Sequence, residues 1–264
     1  MNVKAKKKFG QNFLKDESIK QKIIQAMPND NLKVIEIGPG LGDLTRKLLD
    51  SDKTVRAFEI DLELCEILQN SFKNEIEKKQ LELVCDDVLN QWDKNSLDAE
   101  DYHLIANLPY YVATKIILKA LADNKCKSLL VMIQKEVALK FSARPEDKEF
   151  SSLSILADMI GESKLLFDVG ASCFDPPPKV TSSILQVVKT KDYTDIFERD
   201  EFEEFKSFLK VAFKQPRKTL IKNLQQIFVK DSLLSWFKEN NLKTTIRPHQ
   251  LSSSDYHLLF KNLK

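Results

Sequence analysis

The chain has 264 residues, 42% of them apolar and 30% charged, with a formal net charge of +2. These are ordinary globular values and exclude a disordered or fibrous protein. The length accommodates one large domain, or a large domain with a small appendage. No apolar run is long enough to cross a bilayer. The basic start MNVKAKKKFGQNFL lacks the apolar segment and small-residue cleavage site of a secretory signal, so a cytoplasmic protein without membrane contact is expected.

Cys65, Cys85, Cys126 and Cys173 are widely spaced and have no close cysteine or histidine neighbours. Neither a disulfide framework nor a zinc site is expected, and the four read as buried small hydrophobes. Charge is unevenly spread. Residues 1–22 hold seven lysines against Asp16 and Glu17, and 209–223 hold Lys210, Lys214, Arg217, Lys218 and Lys222 with no acid. Brought together, these segments would make a positive field suited to phosphate; apart, each is solvated surface, and charge alone puts the second reading slightly ahead.

In chain order, the apolar spacing over 17–27 predicts a helix stopped by Pro28. LKVIEIGPGLGDLTRKLL then runs from a strand at 33–37 through glycines into a helix starting near Leu41. VRAFEID at 55–61 predicts a second strand, followed by an amphipathic helix from Leu62; LELVCDD at 81–87 predicts a third, and YHLIANLPY contains a fourth. A helix at 115–122 and the stretch SLLVMIQKEVALKF, a fifth strand feeding a helix, continue the alternation. Short apolar strands separated by helices indicate a mainly parallel sheet covered on both faces. Residues 151–160 look helical, and two late strands, KLLFDVG and TSSILQVVK, flank CFDPPPKV. From about 192 only helical patterns remain. A boundary near 190 is expected, with a domain at 1–190 and a small helical one at 191–264 that is too small for a large core of its own.

EIGPGLGDLT carries the clearest cofactor signal. Gly38, Gly40 and Gly42 bare the main chain where a strand turns into a helix, and ligands of open parallel sheets lie beyond the strands' carboxyl ends. A tight turn without a ligand would use the same glycines. Glu59 closes the next strand, 21 positions after Gly38, where a carboxylate can accept both ribose hydroxyls; a salt-bridged surface acid is the alternative. Asp87 ends the third strand and could accept from an adenine amino group, with Asp86 leaving that assignment open by one residue. Together these strand ends suit an adenosine-containing cofactor. A nicotinamide enzyme would share them, but the chain shows no evident catalytic His-acid pair: His103 lies within an expected strand and reads as structural, and His249 and His257 fall in the terminal appendage.

IANLPYY follows the fourth strand. An exocyclic adenine nitrogen is a poor nucleophile because its lone pair is delocalised. The side-chain oxygen of Asn107 and the carbonyl of Leu108 could accept its two hydrogens, Pro109 stiffens the turn, and Tyr110 offers a face to the base. Such positioning suits methyl transfer from a sulfonium donor. An acceptor base must leave its stack. Phe174 of SCFDPPPKV is the leading candidate for a second clamp, with core packing its alternative, and Tyr111 packs on the sheet or assists at the rim.

The chain resembles the bacterial 16S ribosomal RNA adenine N6,N6-dimethyltransferases. The resemblance runs through FGQNFL, EIGPGLGDLT, FEID, DVL, NLPY, QKEVALKFSARPEDK, FDPPPKVTSS, FKQPRKTLIKNL and RPHQLSSSDYHLLF, nearly the whole length. It implies a seven-stranded Rossmann-like class I methyltransferase fold with a small all-helical carboxyl-terminal domain beside an RNA groove. By the same resemblance, S-adenosylmethionine is the methyl donor and no metal is required. Cofactor contacts fall on Gln11, Asn12, Leu14, Gly38, Gly40, Glu59, Asp87 and Val88, and on Asn107, which also serves the acceptor. Asn107, Leu108, Tyr110 and Phe174 surround the acceptor adenine, and Lys7, Lys8, Lys214, Arg217 and Lys218 meet RNA phosphates. The implied substrate is 16S rRNA in an immature 30S subunit, methylated at two adjacent adenosines near its 3' end, by a monomer. EFSS at 149–152 and Pro216 depart from the family pattern and bear on RNA affinity more than on reaction class. A large-subunit rRNA adenine methyltransferase conferring antibiotic resistance and a non-catalytic RNA-binding assembly factor are the competing readings.

Overall fold

The computed structural model describes residues 5–6, 9–92, 96–198 and 200–263; Lys7 and Lys8, expected at RNA phosphates, lie outside them. The elements run β1 (Phe13–Leu14), α1 (Glu17–Ala26), β2 (Lys33–Ile37), α2 (Asp43–Asp50), β3 (Val55–Phe58), α3 (Leu62–Ser71), α4 (Lys73–Glu77), β4 (Leu81–Val84) and α5 (Val88–Gln91). They continue with β5 (Tyr102–Asn107), α6 (Ala113–Ala122), β6 (Cys126–Gln134), α7 (Lys135–Ser142), α8 (Ser152–Ile160), β7 (Gly161–Val169), β8 (Phe174–Asp175) and β9 (Ser182–Lys189). The helices α9 (Glu201–Ala212), α10 (Leu220–Leu224), α11 (Lys230–Glu239) and α12 (Ser253–Leu263) complete the chain.

Seven strands form one sheet in the order β4-β3-β2-β5-β6-β9-β7. From β4 to β6 all neighbours are parallel, as the alternation of strand and helix requires, and β9 returns antiparallel to β6. The central strands are near-continuous apolar runs because helices cover both faces. β3 and β4 stop at Phe58 and Val84, earlier than the sequence pattern suggests. Their acidic ends, 59–61 and 85–87, leave the ladder and turn into the loops at the carboxyl edge. A separate two-stranded ladder pairs β1 with β8, Phe13 opposite Asp175 and Leu14 opposite Phe174.

Two expectations are corrected. Cys65 and Cys85 are joined as a disulfide, with Cα atoms 6.0 Å apart, whereas separate thiols were expected. Their spacing of 20 in sequence conceals that the β3–α3–β4 crossover returns the chain to the same edge. Cys126 and Cys173 are free thiols. The second correction concerns residues 139–163. The chain divides into two compact units, 1–138 with 164–189, and 139–163 with 190–264. Within the second unit α8 packs against α9 and α12, and Phe150 lies against Phe213 with ring centroids 6.3 Å apart. The aromatic-rich helices after 190 therefore recruit an earlier segment, which supplies core that about 75 residues alone would lack.

His103 is structural, as expected. It is buried, with Nε2 2.9 Å from Asp30 and Nδ1 2.7 Å from the Ser128 hydroxyl. It stands opposite Val34 near the start of β2, at the edge of the sheet away from the glycine turn. Among the described residues no helix is long and apolar enough to cross a membrane.

Gly42 differs in purpose from the other glycines of its turn. Its φ is +86°, and a Cβ there would sit 2.5 Å from the Phe72 ring and 2.9 Å from Leu68. It lets α2 start against α3 rather than admitting a ligand to the main chain. Gly42→Ala is expected to lower unfolding free energy by about 2–5 kcal/mol, from left-handed strain and overlap together. Urea denaturation checks this, and a loss under about 0.5 kcal/mol would contradict it.

Candidate active site

β2 has β3 on one side and β5 on the other, so the direction of winding reverses between β2 and β5. An open sheet must leave a crevice there. The loops leaving β2, β3, β4 and β5 line a cavity with an open mouth, at the place where open parallel sheets hold their ligands. The glycine turn supplies Ile37, Gly38 and Gly40; the end of β3 supplies Glu59 and Ile60; the turn after β4 supplies Asp86, Asp87 and Val88; and β5 ends in Asn107 to Val112. A fifth wall comes from far away in sequence, the amino-terminal residues Phe9 to Phe13.

Gly38 and Gly40 take φ of +70° and +62°, which only glycine adopts without strain, and they leave bare main chain against the cavity. Glu59 is 4% exposed. Its Oε2 accepts the Gly40 N–H at 3.2 Å and its Oε1 accepts the Asp61 N–H at 2.9 Å. Burial pushes its pKa up, opposed by those two N–H donors. Both oxygens keep a further lone pair for a diol. Asp86 and Asp87 both line the cavity and differ in their hydrogen bonding. Asp86 engages both oxygens, on the Asp87 N–H and the Gln91 amide, while Asp87 caps α5 through Oδ1 on the Leu89 N–H and so is the better placed to accept from a ligand. The pair of acceptors fits an adenosyl group: the Glu59 carboxylate would hold ribose hydroxyls, Asp87 an exocyclic amine, and Ile60, exposed at the strand end, an apolar base face.

Glu36, one strand turn behind the cavity, is fully buried and accepts the Thr45 hydroxyl at 2.6 Å. Burial, with the nearby Glu59 charge adding to it, raises its pKa to about 8. A folded-state pKa raised in this way makes the neutral carboxyl the native form. Stability is therefore lost as pH rises from the ordinary glutamate range to about 8, and is level above that. Glu36→Gln keeps an oxygen for Thr45 and has no such slope. Its stability relative to the parent should grow with pH up to about 8; denaturation midpoints compared across pH test this, and a constant difference would contradict it.

At the end of β5, Asn107 donates through Nδ2 to the Asn12 carbonyl at 3.1 Å, which leaves Oδ1 as its unspent acceptor. Leu108 is 1% exposed and its N–H is taken by the Met132 carbonyl, so its own carbonyl is the main-chain group it can offer. The Tyr110 hydroxyl shares a 2.6 Å hydrogen bond with Ser182 at the start of β9, and the half-buried ring is held beside them. Tyr111 is 65% exposed and stands at the rim, its ring next to Gly10.

Two sequence expectations come out differently. Leu14 is buried in the core and does not line the cavity; the alternation of β1 turns Leu14 inward and gives the wall to Phe13. Phe174, opposite Leu14, is 1% exposed and part of the same core, so it offers no face to a base. Gln11 lines the cavity, but its amide is already engaged by Lys6 and Asp61. Phe13, Ile60 and Asp61 were not anticipated. Ile60 had a signal in the sequence, an isoleucine set between two acids at a strand end.

Lys214, Arg217 and Lys218 are exposed on the turn between α9 and α10. Buried Asn223 braces that turn, accepting the Gln215 N–H and donating to the carbonyls of Gln215 and Thr219. Among the described residues no cluster of His, Cys, Asp and Glu is placed to hold a metal.

Sheet order, switch-point cavity and bare glycine turn together define a class I Rossmann-like methyltransferase. Its particular kind follows from comparison with known proteins: the profile described as Ribosomal RNA adenine dimethylase matches residues 2–264, and the chain belongs to that family of S-adenosylmethionine-dependent enzymes. It is 55% identical to the Ribosomal RNA small subunit methyltransferase A of Campylobacter concisus, covering 99% of this chain and 95% of that one. It is 54% identical to the protein of the same description from Sulfurimonas denitrificans, covering 98% and 94%. Among solved structures, a dimethyladenosine transferase from Plasmodium falciparum superposes with a TM-score of 0.74 at 25% identity, over 95% of this chain and 97% of that one. The 23S rRNA methyltransferase ErmE gives 0.71 at 22% identity, over 96% and 99%, a likeness of fold.

Proposed function

We propose that the protein transfers methyl groups from S-adenosylmethionine to N6 of two adjacent adenosines near the 3' end of 16S rRNA, in an immature 30S subunit, and that it works as a monomer in the cytoplasm. The observation that carries the acceptor chemistry is the Asn107 amide. With its nitrogen committed to the Asn12 carbonyl, it turns an oxygen toward whatever enters beside Tyr110.

When bound, S-adenosylmethionine supplies an electrophilic methyl group. The chain's own part is to hold the amine. In the first transfer Asn107 Oδ1 and the Leu108 carbonyl accept the two N6 hydrogens and draw the lone pair out of conjugation; in the second, the methylated amine has one hydrogen left and one of these acceptors holds it. As N6 becomes cationic its hydrogens grow more acidic and are bound more tightly than in the ground state, which is the condition for catalysis; each transfer then releases one N6 proton to solvent, with the neutral sulfide as the leaving group. The Tyr110 ring, tethered to Ser182, stacks on the extruded base. Arg217 and Lys218 meet phosphate, positioning RNA without reading it.

The test is incubation of methyl-labelled S-adenosylmethionine with small subunits and, separately, large subunits from cells lacking the modification, followed by nucleoside mass mapping. Label in two adjacent N6,N6-dimethyladenosines is expected. Label confined to large-subunit RNA, or binding without label, would overturn the reading. Arg217→Ala should weaken binding to those particles and lower the slope of log affinity against log salt by about 1; an unchanged slope in filter binding would argue against a phosphate contact.

A further inference from the structure

Two halves of the site, the cofactor wall and the acceptor amide, are bridged by an unbroken run of polar contacts through the amino-terminal segment. At one end the Gly40 N–H and the Asp61 N–H both donate to Glu59. The Asp61 carboxylate, 4% exposed, then accepts the Gln11 amide at 2.9 Å through Oδ2 and the Lys6 ammonium at 2.7 Å through Oδ1. Lys6 closes this knot: its N–H donates to Gln11 Oε1 at 2.6 Å, and its ammonium also pairs with Glu63 at 2.9 Å. One residue beyond Gln11, the Asn12 carbonyl accepts Asn107 Nδ2. The far end of the segment is fixed separately by β1 on β8 and by the Lys15 N–H on the Cys173 carbonyl.

We propose that Asp61 and Gln11 are positioning residues of the methyl transfer. By tethering the strap Phe9–Leu14 across the cofactor cavity, they place the Asn12 carbonyl where it turns the catalytic amide, so that the wall holding the cofactor also sets the orientation of the acceptor group. This rests on the acceptor role of Asn107 proposed above. The chemistry is plain. An asparagine amide has nearly equivalent shapes for its two orientations, and only a fixed acceptor for its nitrogen decides which end faces the substrate. A backbone carbonyl on a segment held only by β1 would be a poor fixture. Tied on both sides, it is a good one. Gln11 spends one contact from each end of its amide in this role. A Cβ at Gly40 would come within 3.0 Å of the Phe13 ring, so strap and glycine turn are in close register as well.

The test uses the full chain with Gln11→Leu, Asp61→Asn and Lys6→Met. Asp61→Asn retains an acceptor for the Glu63 N–H that caps α3, and Lys6 is on the open side of the knot, so these variants spare the fold. Three readouts are taken: amide hydrogen exchange over 9–14, S-adenosylhomocysteine affinity by calorimetry without RNA, and turnover at saturating methyl donor. Released strap amides should exchange faster, affinity should fall, and turnover should drop by about tenfold or more even at saturation, because the amide is misaligned. Lys6→Arg, which can rebuild both ion pairs, should restore turnover where Lys6→Met does not. A purely structural knot would lower thermal stability while leaving saturated turnover intact, and that result overturns the proposal, as does parental exchange over 9–14 in Gln11→Leu. If the parent protein itself binds S-adenosylhomocysteine but labels no particle, the failure lies with the functional reading, and hydrogen exchange still judges the strap.

Discussion

Asn107→Ala should reduce methyl transfer by about 10²–10³-fold at saturating donor, the range for deleting one preorganised group that acts on developing charge. Two losses combine. The Oδ1 acceptor disappears, and N6 keeps its lone pair in the ring. Cofactor affinity should change by less than about threefold, because Glu59, Asp87 and the glycine turn are untouched and only the Asn12 carbonyl loses a partner. The split matters more than either number. Equal losses in affinity and turnover would mean that Asn107 serves the donor and not the acceptor. Single-turnover kinetics with small-subunit particles, beside calorimetry with S-adenosylhomocysteine, separate the two. Asn107→Asp is a sharper variant: it keeps an oxygen but repels the Asn12 carbonyl, and should recover little.

Glu59→Ala should have the opposite signature, weakening S-adenosylhomocysteine by about 10²-fold or more while the residual rate at saturation stays within about tenfold. Removing the carboxylate strips a ribose diol of its acceptors and also leaves the buried N–H groups of Gly40 and Asp61 without the oxygens they donate to. Each orphaned donor costs about 1–3 kcal/mol, so part of the loss falls on the loop itself. The acid has a pH consequence too. Because burial raises its pKa, the ionised form that accepts hydroxyls is lost earlier than usual as pH falls. Cofactor affinity should therefore decline on acidification from above the ordinary carboxylate range. An affinity flat through that range would contradict Glu59 as the ribose acceptor.

The parallel part of the sheet was legible because period and punctuation agree there: KVIEI, VRAF and LELV are short apolar runs, each followed by a helix, and covered strands leave little else to read. Strand ends were less legible. Glu59 and Asp87 look like the last residues of strands, yet they lie beyond β3 and β4, in the turns at the carboxyl edge. The sites that local sequence misjudged depend on distant pairing. The Cys65–Cys85 bond needs the crossover that brings α3 beside the end of β4. The burial of Phe174 needs β1, 160 positions earlier in the chain, laid against β8, and the same pairing sends Leu14 inward and Phe13 outward. Residues 139–163 read as a continuation of the alternating pattern, and only the aromatic faces of α9 and α12 show where they belong. Asp61 was passed over as one acid among several, because a hub is defined by its partners, and Lys6 and Gln11 lie more than 45 positions away.

The most direct measurement is a structure of the protein bound to sinefungin and an unmethylated small subunit. Expected is an unstacked adenine against Tyr110, its N6 within hydrogen-bond reach of both Asn107 Oδ1 and the Leu108 carbonyl, with the Asn107 nitrogen still on the Asn12 carbonyl. An adenine bound with its N6 away from those two oxygens, or an Asn107 amide turned with its nitrogen toward the base, would contradict the mechanism.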